Sequence, residues 1–503
     1  MPTHSLKPTD IERTATGIPG FDEILGGGFP ARHMYLIEGE AGAGKTTLGL
    51  HFILEGRRKG ENTLWITLSE TERELQDTAR SHGWLLDGVE ILNLVVSDDM
   101  FKAEGQYSFF SPADVELNET TKSILQAIER HKPTRVVFDP FSDIKLLARD
   151  ALRYRRQVLT FREFLAVQGC TAILMQEATR GQPGDIQAEA LVHGYMTLHL
   201  DAPDYGGQRR RLRVHKMRGI PFRDGFHDFS IKTGGIDVYP RLVAAEHLED
   251  LPDELVSSGV PALNDLLGGG IDRGTSLLIM GPAGVGKSTL ATSFATAAAA
   301  RGEKAAIFIF DETVRAFRTR GNKLGLNVSR YQDEGSLSIR RIEAAEFSPG
   351  QFAHLLMDRV EKEKANVVVI DSLSGYLSAM PEERFLTTHL HELLTYLSHK
   401  NVVTILTLPQ HGVVGESVVA PVDVSYLADD VLLLRYFEAF GAVRRAISVV
   451  KKRTGPHQVH IREMSIGQSG IDIGEQLMEF QGVLTGRPEF IGKAAELSSN
   501  ISK

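Results

Sequence analysis

The sequence is poor in cysteine and contains no long hydrophobic run. Its single cysteine, Cys170, excludes disulfides within the chain and metal clusters built on cysteine. No stretch approaches the roughly 18 consecutive apolar residues that a membrane-spanning helix requires. The N-terminal residues also lack the apolar core of a secretory signal. We therefore expect a cytoplasmic protein without a membrane anchor.

An excess of positive charge is also missing. The chain carries 65 acidic against 56 basic residues, a formal net charge of −9, so its overall electrostatics do not favour a nucleic-acid partner. Proline is sparse as well, at 20 of 503 residues, while 42% of the residues are hydrophobic. This composition is typical of a globular protein with a substantial core rather than of a disordered chain.

The chain does contain a long internal repeat. The phosphate-binding signature G-x-x-x-x-G-K-[ST] occurs as GEAGAGKT at 39–46 and as GPAGVGKS at 281–288, and three consecutive glycines precede each copy. Three pairs of residues are each separated by 242 positions: Gly26 and Gly268, Lys45 and Lys287, and Glu70 and Glu312. A constant offset over this length predicts a duplicated domain. We place the two domains at 1–245 and 246–503.

Hydrophobic patterning assigns both halves to the α/β class. Each begins with an apolar strand, the glycine-rich loop and a helical segment, and continues with apolar strands such as 135–139 and 366–371. Uninterrupted apolar strands alternating with helices predict a mainly parallel sheet flanked by helices. Longer strands with basic residues, 210–218 and 444–453, predict hairpins added at one edge of each sheet.

The two loops predict ATP and Mg²⁺ as cofactors. Their glycines let backbone N–H groups surround phosphate oxygens, and the lysines reach the β- and γ-phosphates while the following hydroxyl binds Mg²⁺. The predicted nucleotide-binding residues are Gly39, Ala41, Gly42, Ala43, Gly44, Lys45, Thr46 and Thr47 in the first half, and Gly281, Ala283, Gly284, Val285, Gly286, Lys287, Ser288 and Thr289 in the second.

Carboxylates at the ends of later strands complete each predicted site. Asp139 and Asp371 follow apolar strands, where they would bind Mg²⁺ together with Thr46 and Ser288. Glu70 in the first half, and Asp311 and Glu312 in the second, are candidates to polarise the attacking water. The alternative for all of these acids is a structural role as a turn former or a first-turn helix acid.

With these motifs in view, the chain from about residue 16 to 488 resembles the KaiC-type proteins of the RecA-like ATPase superfamily. The most specific elements are the glycine triples, the strand-end acids, and the basic phrases 209–219 and 435–453. The resemblance implies two tandem RecA-like domains in a double-ring homohexamer with ATP between neighbouring subunits. It implies that Lys216, Arg218, Lys451 and Arg453 reach the neighbour's ATP, and it allows a KaiB-like or other signalling partner. The alternative for these four residues is a basic edge strand that resists aggregation.

The sequence departs from the family pattern at two places. Members usually carry two adjacent glutamates after the second strand, whereas this chain has Ser69-Glu70 and Asp311-Glu312, which predicts slower hydrolysis in the first half. Clock members phosphorylate themselves on adjacent serine and threonine residues. Those positions hold Ser425 and Tyr426, so Ser425 remains as the acceptor and a two-step cycle is in doubt.

Three functions follow. The first is a hexameric, regulatory or timing ATPase with serine autokinase activity, and the second is an ATP-dependent scaffold with little turnover. The third, a DNA-dependent RecA-like motor, is disfavoured by the acidic balance.

Overall fold

A computed structural model describes residues 11–94, 112–178, 186–203, 206–248, 254–343, 345–378, 386–410, 426–484 and 488–491. The chain divides into two compact units, Met1–Arg241 and Leu242–Lys503. The division falls slightly before the boundary that we placed at 245/246, because Leu242 and Ala244 are buried in the core of the second unit. Within the described ranges, no helix combines the length and apolarity needed to cross a bilayer.

The first unit alternates strands and helices before ending in four consecutive strands. Its elements are β1 (Arg13–Thr14), α1 (Pro19–Ile24), β2 (Phe29–Pro30), β3 (Met34–Gly39), α2 (Lys45–Arg58), β4 (Thr63–Thr67), α3 (Glu72–Ser81), β5 (Glu90–Asn93), α4 (Pro112–His131), β6 (Arg135–Asp139), α5 (Ser142–Ala148), α6 (Ala151–Gln168), β7 (Thr171–Glu177), α7 (Ile186–Leu191), β8 (Gly194–Asp201), β9 (Arg209–Met217), β10 (Phe226–Lys232) and β11 (Gly235–Tyr239).

Nine of these strands form one sheet in the order β11-β10-β9-β8-β3-β7-β6-β4-β5. The six strands from β8 to β5 run parallel, and β9, β10 and β11 add antiparallel hairpins at the β8 side.

The second unit has the same architecture. Its elements are β12 (Leu255–Val256), α8 (Pro261–Leu266), β13 (Ile271–Asp272), β14 (Ser276–Gly281), α9 (Lys287–Ala300), β15 (Lys304–Ile309), α10 (Val314–Lys323), α11 (Val328–Asp333), β16 (Leu337–Arg341), α12 (Pro349–Glu361), β17 (Ala365–Asp371), α13 (Leu373–Ser378), α14 (Leu386–His399), β18 (Val403–Pro409), β19 (Asp430–Ala439), β20 (Ala442–Lys452), β21 (Arg462–Gly467), β22 (Gly470–Gln476), β23 (Phe480–Gln481) and β24 (Glu489–Phe490), with a 3-10 helix at Ala244–His247 before β12.

The second sheet repeats the first strand for strand. Its order is β22-β21-β20-β19-β14-β18-β17-β15-β16, again with six parallel strands followed by antiparallel hairpins. The prediction of two tandem α/β domains, each with a mainly parallel sheet and edge hairpins, is therefore confirmed.

Each sheet is buried on both faces because alternate side chains of its central strands point to opposite sides. In β3, Leu36 joins the core beneath α4 and α6, while Ile37 joins the core beneath α1 and α2. In β14, Leu278 joins the core beneath α12 and α14, while Ile279 joins the core beneath α9. This double burial explains why the strands carry almost no polar residues until they end.

The parallel arrangement gathers the strand ends at one edge of each sheet. Gly39 of β3 pairs with Glu177 of β7, and Thr67 of β4 pairs with Asp139 of β6. The P-loop, the acid after β4 and the aspartate that ends β6 therefore all lie at the C-terminal ends of the parallel strands, where α/β sheets of this kind bind their ligands.

Candidate nucleotide sites

The first P-loop joins β3 to α2 with backbone conformations that require glycine. Gly42 and Gly44 have φ of +76° and +104°, in the region that L side chains rarely adopt. A side chain on Gly39 would meet the carbonyl oxygen of Leu198 at 2.8 Å. Helix α2 begins at Lys45 without a side-chain cap on its first N–H groups. An uncapped helix N-terminus behind a glycine loop fits a phosphate group.

The second P-loop has the same form. Gly284 and Gly286 have φ of +76° and +114°, and α9 begins at Lys287 with no side-chain cap. Both loops are thus built to accept the same anionic group.

The P-loop lysines are held over their own loops. Lys45 Nζ donates to the carbonyl oxygens of Gly39 and Glu40 at 2.8 and 3.1 Å. Lys287 Nζ donates to those of Gly281 and Pro282 at 2.9 and 2.8 Å. Burial lowers the pKa of both lysines, and the nearby carboxylates of Asp139 and Asp371 oppose that shift.

The predicted magnesium ligands of the first unit are in contact. Thr46 Oγ1 donates to Asp139 Oδ2 at 2.7 Å. Burial raises the pKa of Asp139, and the Thr46 hydrogen bond opposes this. A hydroxyl beside a carboxylate supplies the hard oxygen ligands that Mg²⁺ prefers, so these residues fit the ion.

In the second unit Asp371 has a different partner. Its Oδ1 accepts from Thr407 Oγ1 on β18. Sheet register places Met175 at the equivalent position of β7, since Met175 pairs with Ile37 as Thr407 pairs with Ile279. A methionine donates no hydrogen bond, which explains why the Asp139 carboxylate lacks the corresponding contact. Thr407 carries no motif, so sequence reasoning missed it.

The acid that follows β4 is anchored through its main chain. Thr67 Oγ1 donates to the carbonyl oxygen of Glu70 at 2.9 Å and accepts from its N–H at 3.0 Å. The side chain of Glu70 is partly buried, and this burial, followed by the charges of Asp139 and Glu74, raises its pKa.

The acids that follow β15 are anchored through their side chains. Asp311 Oδ2 accepts from Ser372 Oγ at 2.6 Å. Both carboxylate oxygens of Glu312 accept from Arg320 on α10, each at 2.7 Å. Sequence reasoning missed Arg320 because it carries no motif; the residue 242 positions earlier is Thr78.

The four basic residues of the edge hairpins lie at the opposite end of their sheets from the P-loops. Lys216 pairs with Tyr195, which pairs with Leu36 near the start of β3. Lys451 pairs with Val431, which pairs with Leu278 near the start of β14. At about 3.3 Å per residue, these positions lie roughly 10 Å or more along the sheet from the loops.

Local contacts hold these cations in place. Lys216 Nζ donates to the carbonyl of Glu189 at 2.6 Å, and Arg218 donates to that of Ala190 at 3.1 Å. Lys451 Nζ donates to the carbonyl of Ala428 at 2.6 Å. Arg453 contacts Asp429 Oδ1 at 3.1 Å and the carbonyl of Tyr426 at 2.8 Å.

Arg210, which lies in the basic phrase 209–219, reaches the carbonyl of Gly42 in its own P-loop at 3.4 Å. Ser425, the predicted phosphoryl acceptor, lies outside the described residues, whereas the adjacent Tyr426 is described and is 54% exposed.

Comparison with known proteins covers almost the whole chain. The sequence model of a family described as "ATPase: KaiC" matches residues 14–243 and 256–478. The chain is 28% identical to "Circadian clock protein KaiC3" from Synechocystis sp. over 491 residues, which is 96% of each protein. It is 27% identical to "Circadian clock oscillator protein KaiC" from Thermostichus vulcanus, over 97% of this chain and 95% of that protein. The protein of the same name from Synechococcus elongatus is 26% identical, over 97% and 94%.

Proposed function

Because this chain belongs to the KaiC family of ATPases, we propose that it hydrolyses Mg-ATP as a double-ring homohexamer in which each ATP lies between neighbouring subunits. The observation that carries the proposal is the position of four basic residues along the strands. They lie at the end of their sheet opposite to their own P-loops: Lys216, Arg218, Lys451 and Arg453. A cation so placed does not reach the phosphates of its own unit, but a second copy of the chain can bring it to them.

Within one subunit, the P-loops bind and orient the nucleotide. The loop N–H groups and the helix N-termini hold the phosphates, while Lys45 and Lys287 neutralise the β- and γ-oxygens. Thr46 with Asp139, and Ser288 with Asp371, would hold Mg²⁺. The ion, when bound, neutralises charge on the β- and γ-phosphates.

The water-activating acids and the trans cations act together on the γ-phosphate. Glu70, or Asp311 and Glu312, accepts a proton from the attacking water. Lys216 with Arg218, or Lys451 with Arg453, stabilises the charge that develops on the transferred group. Hydrolysis therefore depends on assembly.

Autophosphorylation is the second part of the proposal. The Ser425 oxygen forms a bond to the γ-phosphorus as the bond from that phosphorus to the bridging oxygen of ADP breaks, and Asp311 or Glu312 takes the hydroxyl proton. Such a modification would suit a regulatory or timing role read by a KaiB-like or other signalling partner. Incubation with Mg-ATP should add one phosphate by intact mass, and Ser425→Ala should abolish it. An unchanged mass in the parent protein would remove the kinase activity and leave the ATPase.

Subunit mixing tests the shared site. One variant lacks both P-loop lysines (Lys45→Ala, Lys287→Ala), and the other lacks both arginines (Arg218→Gln, Arg453→Gln). Each alone should be nearly inactive. Mixed rings should regain a fraction of the wild-type turnover, because some interfaces then pair an intact P-loop with an intact arginine. If mixed rings form, as shown by two mass tags in one particle, and turnover stays at the level of the separate variants, the shared site is refuted.

A scaffold with little turnover is the second candidate. Two observations favour it: Ser69 replaces the first acid of the first site, and Arg320 engages both oxygens of Glu312 in the second. Turnover that is unaffected by Glu70→Gln and Glu312→Gln would support the scaffold over the enzyme.

A further inference from the structure

The residue that precedes β19, Asp429, is tied to the first residue of β14. Its N–H donates to the carbonyl oxygen of Ser276 at 3.0 Å. Its Oδ2 accepts from the N–H and the hydroxyl of Ser276 at 3.0 and 2.8 Å. One carboxylate oxygen of Asp429 is therefore held by a central strand of the sheet.

The other carboxylate oxygen holds Arg453. Asp429 Oδ1 accepts from Nη1 of Arg453 at 3.1 Å, while Nη2 donates to the carbonyl of Tyr426 at 2.8 Å. The guanidinium is thus fixed at two points while its side chain remains 52% exposed. A planar donor group held in this way keeps its remaining N–H groups aimed in one direction.

The equivalent residue of the first unit also contacts its arginine, but by different chemistry. His193 donates its N–H to the carbonyl of Met34, as Asp429 does to that of Ser276. The His193 ring is bonded through Nε2 to the main-chain carbonyl of Arg218 at 2.8 Å and stacks on His33. His193 therefore contacts the backbone of its arginine, whose guanidinium meets the carbonyl of Ala190 instead, whereas Asp429 contacts the guanidinium of Arg453 directly.

We propose that Asp429 is a positioning residue for Arg453, which holds the guanidinium in the orientation from which it reaches the γ-phosphate bound by the neighbouring subunit. This inference rests on the proposed function. A free arginine side chain loses rotamer entropy when it binds, and the Asp429 contact takes up much of that loss before the arginine meets the nucleotide. The effect belongs to the transition state, so it should appear in kcat rather than in KM.

The test is a double-mutant cycle in the full-length protein. All variants carry Glu70→Gln, so that the remaining turnover reports the second site. Asp429→Asn should lower kcat by about tenfold, in line with the loss of a hydrogen bond between charged groups, with KM changed less than twofold. Arg453→Gln should lower kcat at least as much, and the double variant should be no slower than Arg453→Gln alone. Asp472→Asn, the same charge change at an exposed position of β22, should stay within twofold of the parent.

Each outcome is decisive. If the effects of Asp429→Asn and Arg453→Gln on kcat are additive, Asp429 acts through its contact with Ser276 and not through Arg453. If Asp429→Asn increases kcat, the contact keeps Arg453 away from the phosphate. Either result overturns the inference. No effect of Arg453→Gln would refute the trans role itself, and the positioning role with it. If Asp429→Asn fails to assemble, Arg453→Lys tests the same contact from the other side. Lysine keeps the charge but does not span both acceptors, so wild-type kcat in this variant would also overturn the proposal.

Discussion

The two units share the strand order, the loop conformations and the lysine contacts, yet they hold their acidic residues differently. In the first unit Thr46 contacts Asp139, and the contacts that anchor Glu70 within the described ranges are made by its main chain. In the second unit every acid of the site has a side-chain partner: Thr407 for Asp371, Ser372 for Asp311 and Arg320 for Glu312.

We infer from this difference that the two sites divide the labour, contrary to the slower first-half hydrolysis that Ser69 predicts. A partly buried carboxylate with a raised pKa is a better proton acceptor than one paired with a guanidinium, so we expect Glu70 to serve as the base of the first site although its neighbour is Ser69. The paired acids of the second site are restrained, which suits slower chemistry such as phosphoryl transfer to a side chain. The two units share their strand order and differ in the contacts between side chains.

The largest expected effect comes from removing the base of the first site. Glu70→Gln should reduce first-site turnover by about a hundredfold or more, as general bases commonly contribute. The measurement is ATP hydrolysis in a background whose second site carries Asp311→Asn and Glu312→Gln. Because burial raises the pKa of Glu70, the acid limb of the first-site pH profile should lie above the usual glutamate value of 4.5.

The matched control is Glu72→Gln, an acid in the first turn of α3 that lies outside the proposed site. It should leave turnover unchanged. If Glu70→Gln and Glu72→Gln behave alike, the water-activating role of Glu70 is wrong and the comparison between the sites loses its basis.

The next effect concerns stability and Asp430, which is wholly buried at the start of β19. Burial raises the pKa of Asp430 to about 6 from 3.8, although Lys452 opposes the shift. The stability that this group contributes is present below about pH 4 and is lost as pH rises through about 6. Asp430→Asn should therefore stabilise the second unit by up to about 3 kcal/mol at pH 8, and the gain should vanish near pH 4.

The stability gain of Asp430→Asn is measured by thermal denaturation across this pH range. Asp472→Asn, at an exposed position, is the charge-matched control. Gly194 occupies the Asp430 position in the first unit, where a Cβ would meet Met217 Sδ at 2.7 Å. The first unit therefore has no corresponding charge. A stability gain for Asp430→Asn that is independent of pH would contradict the account.

The smallest effect should come from Arg320. Its pair with Glu312 is partly exposed and contributes about 0–1 kcal/mol, so Arg320→Gln should raise second-site turnover by only about two- to fivefold. Arg318→Gln on the same helix is the control.

The reciprocal change Thr78→Arg should slow the first site by offering Glu70 the same partner. If Arg320→Gln slows the second site, the arginine orients the base rather than restraining it.

The repeat, the mainly parallel character of each sheet and the antiparallel hairpins at its edge could be predicted from the sequence. Glycines at these spacings, lysines after them and apolar strands that end in aspartate are local patterns. The partners of the acids could not be predicted in this way, because Thr407, Ser372 and Arg320 carry no motif and come close only when separate strands and helices pack.

The sequence by itself determined that this chain is a tandem pair of P-loop domains, since a glycine loop and a doubly buried strand are specified by residues adjacent along the chain. Only the tertiary structure decided at which end of the strands Lys216 and Lys451 lie, because that depends on the register with which separate strands pair. Register also brings Asp429 and His193 to equivalent positions beside the two arginines, where each forms a different hydrogen bond.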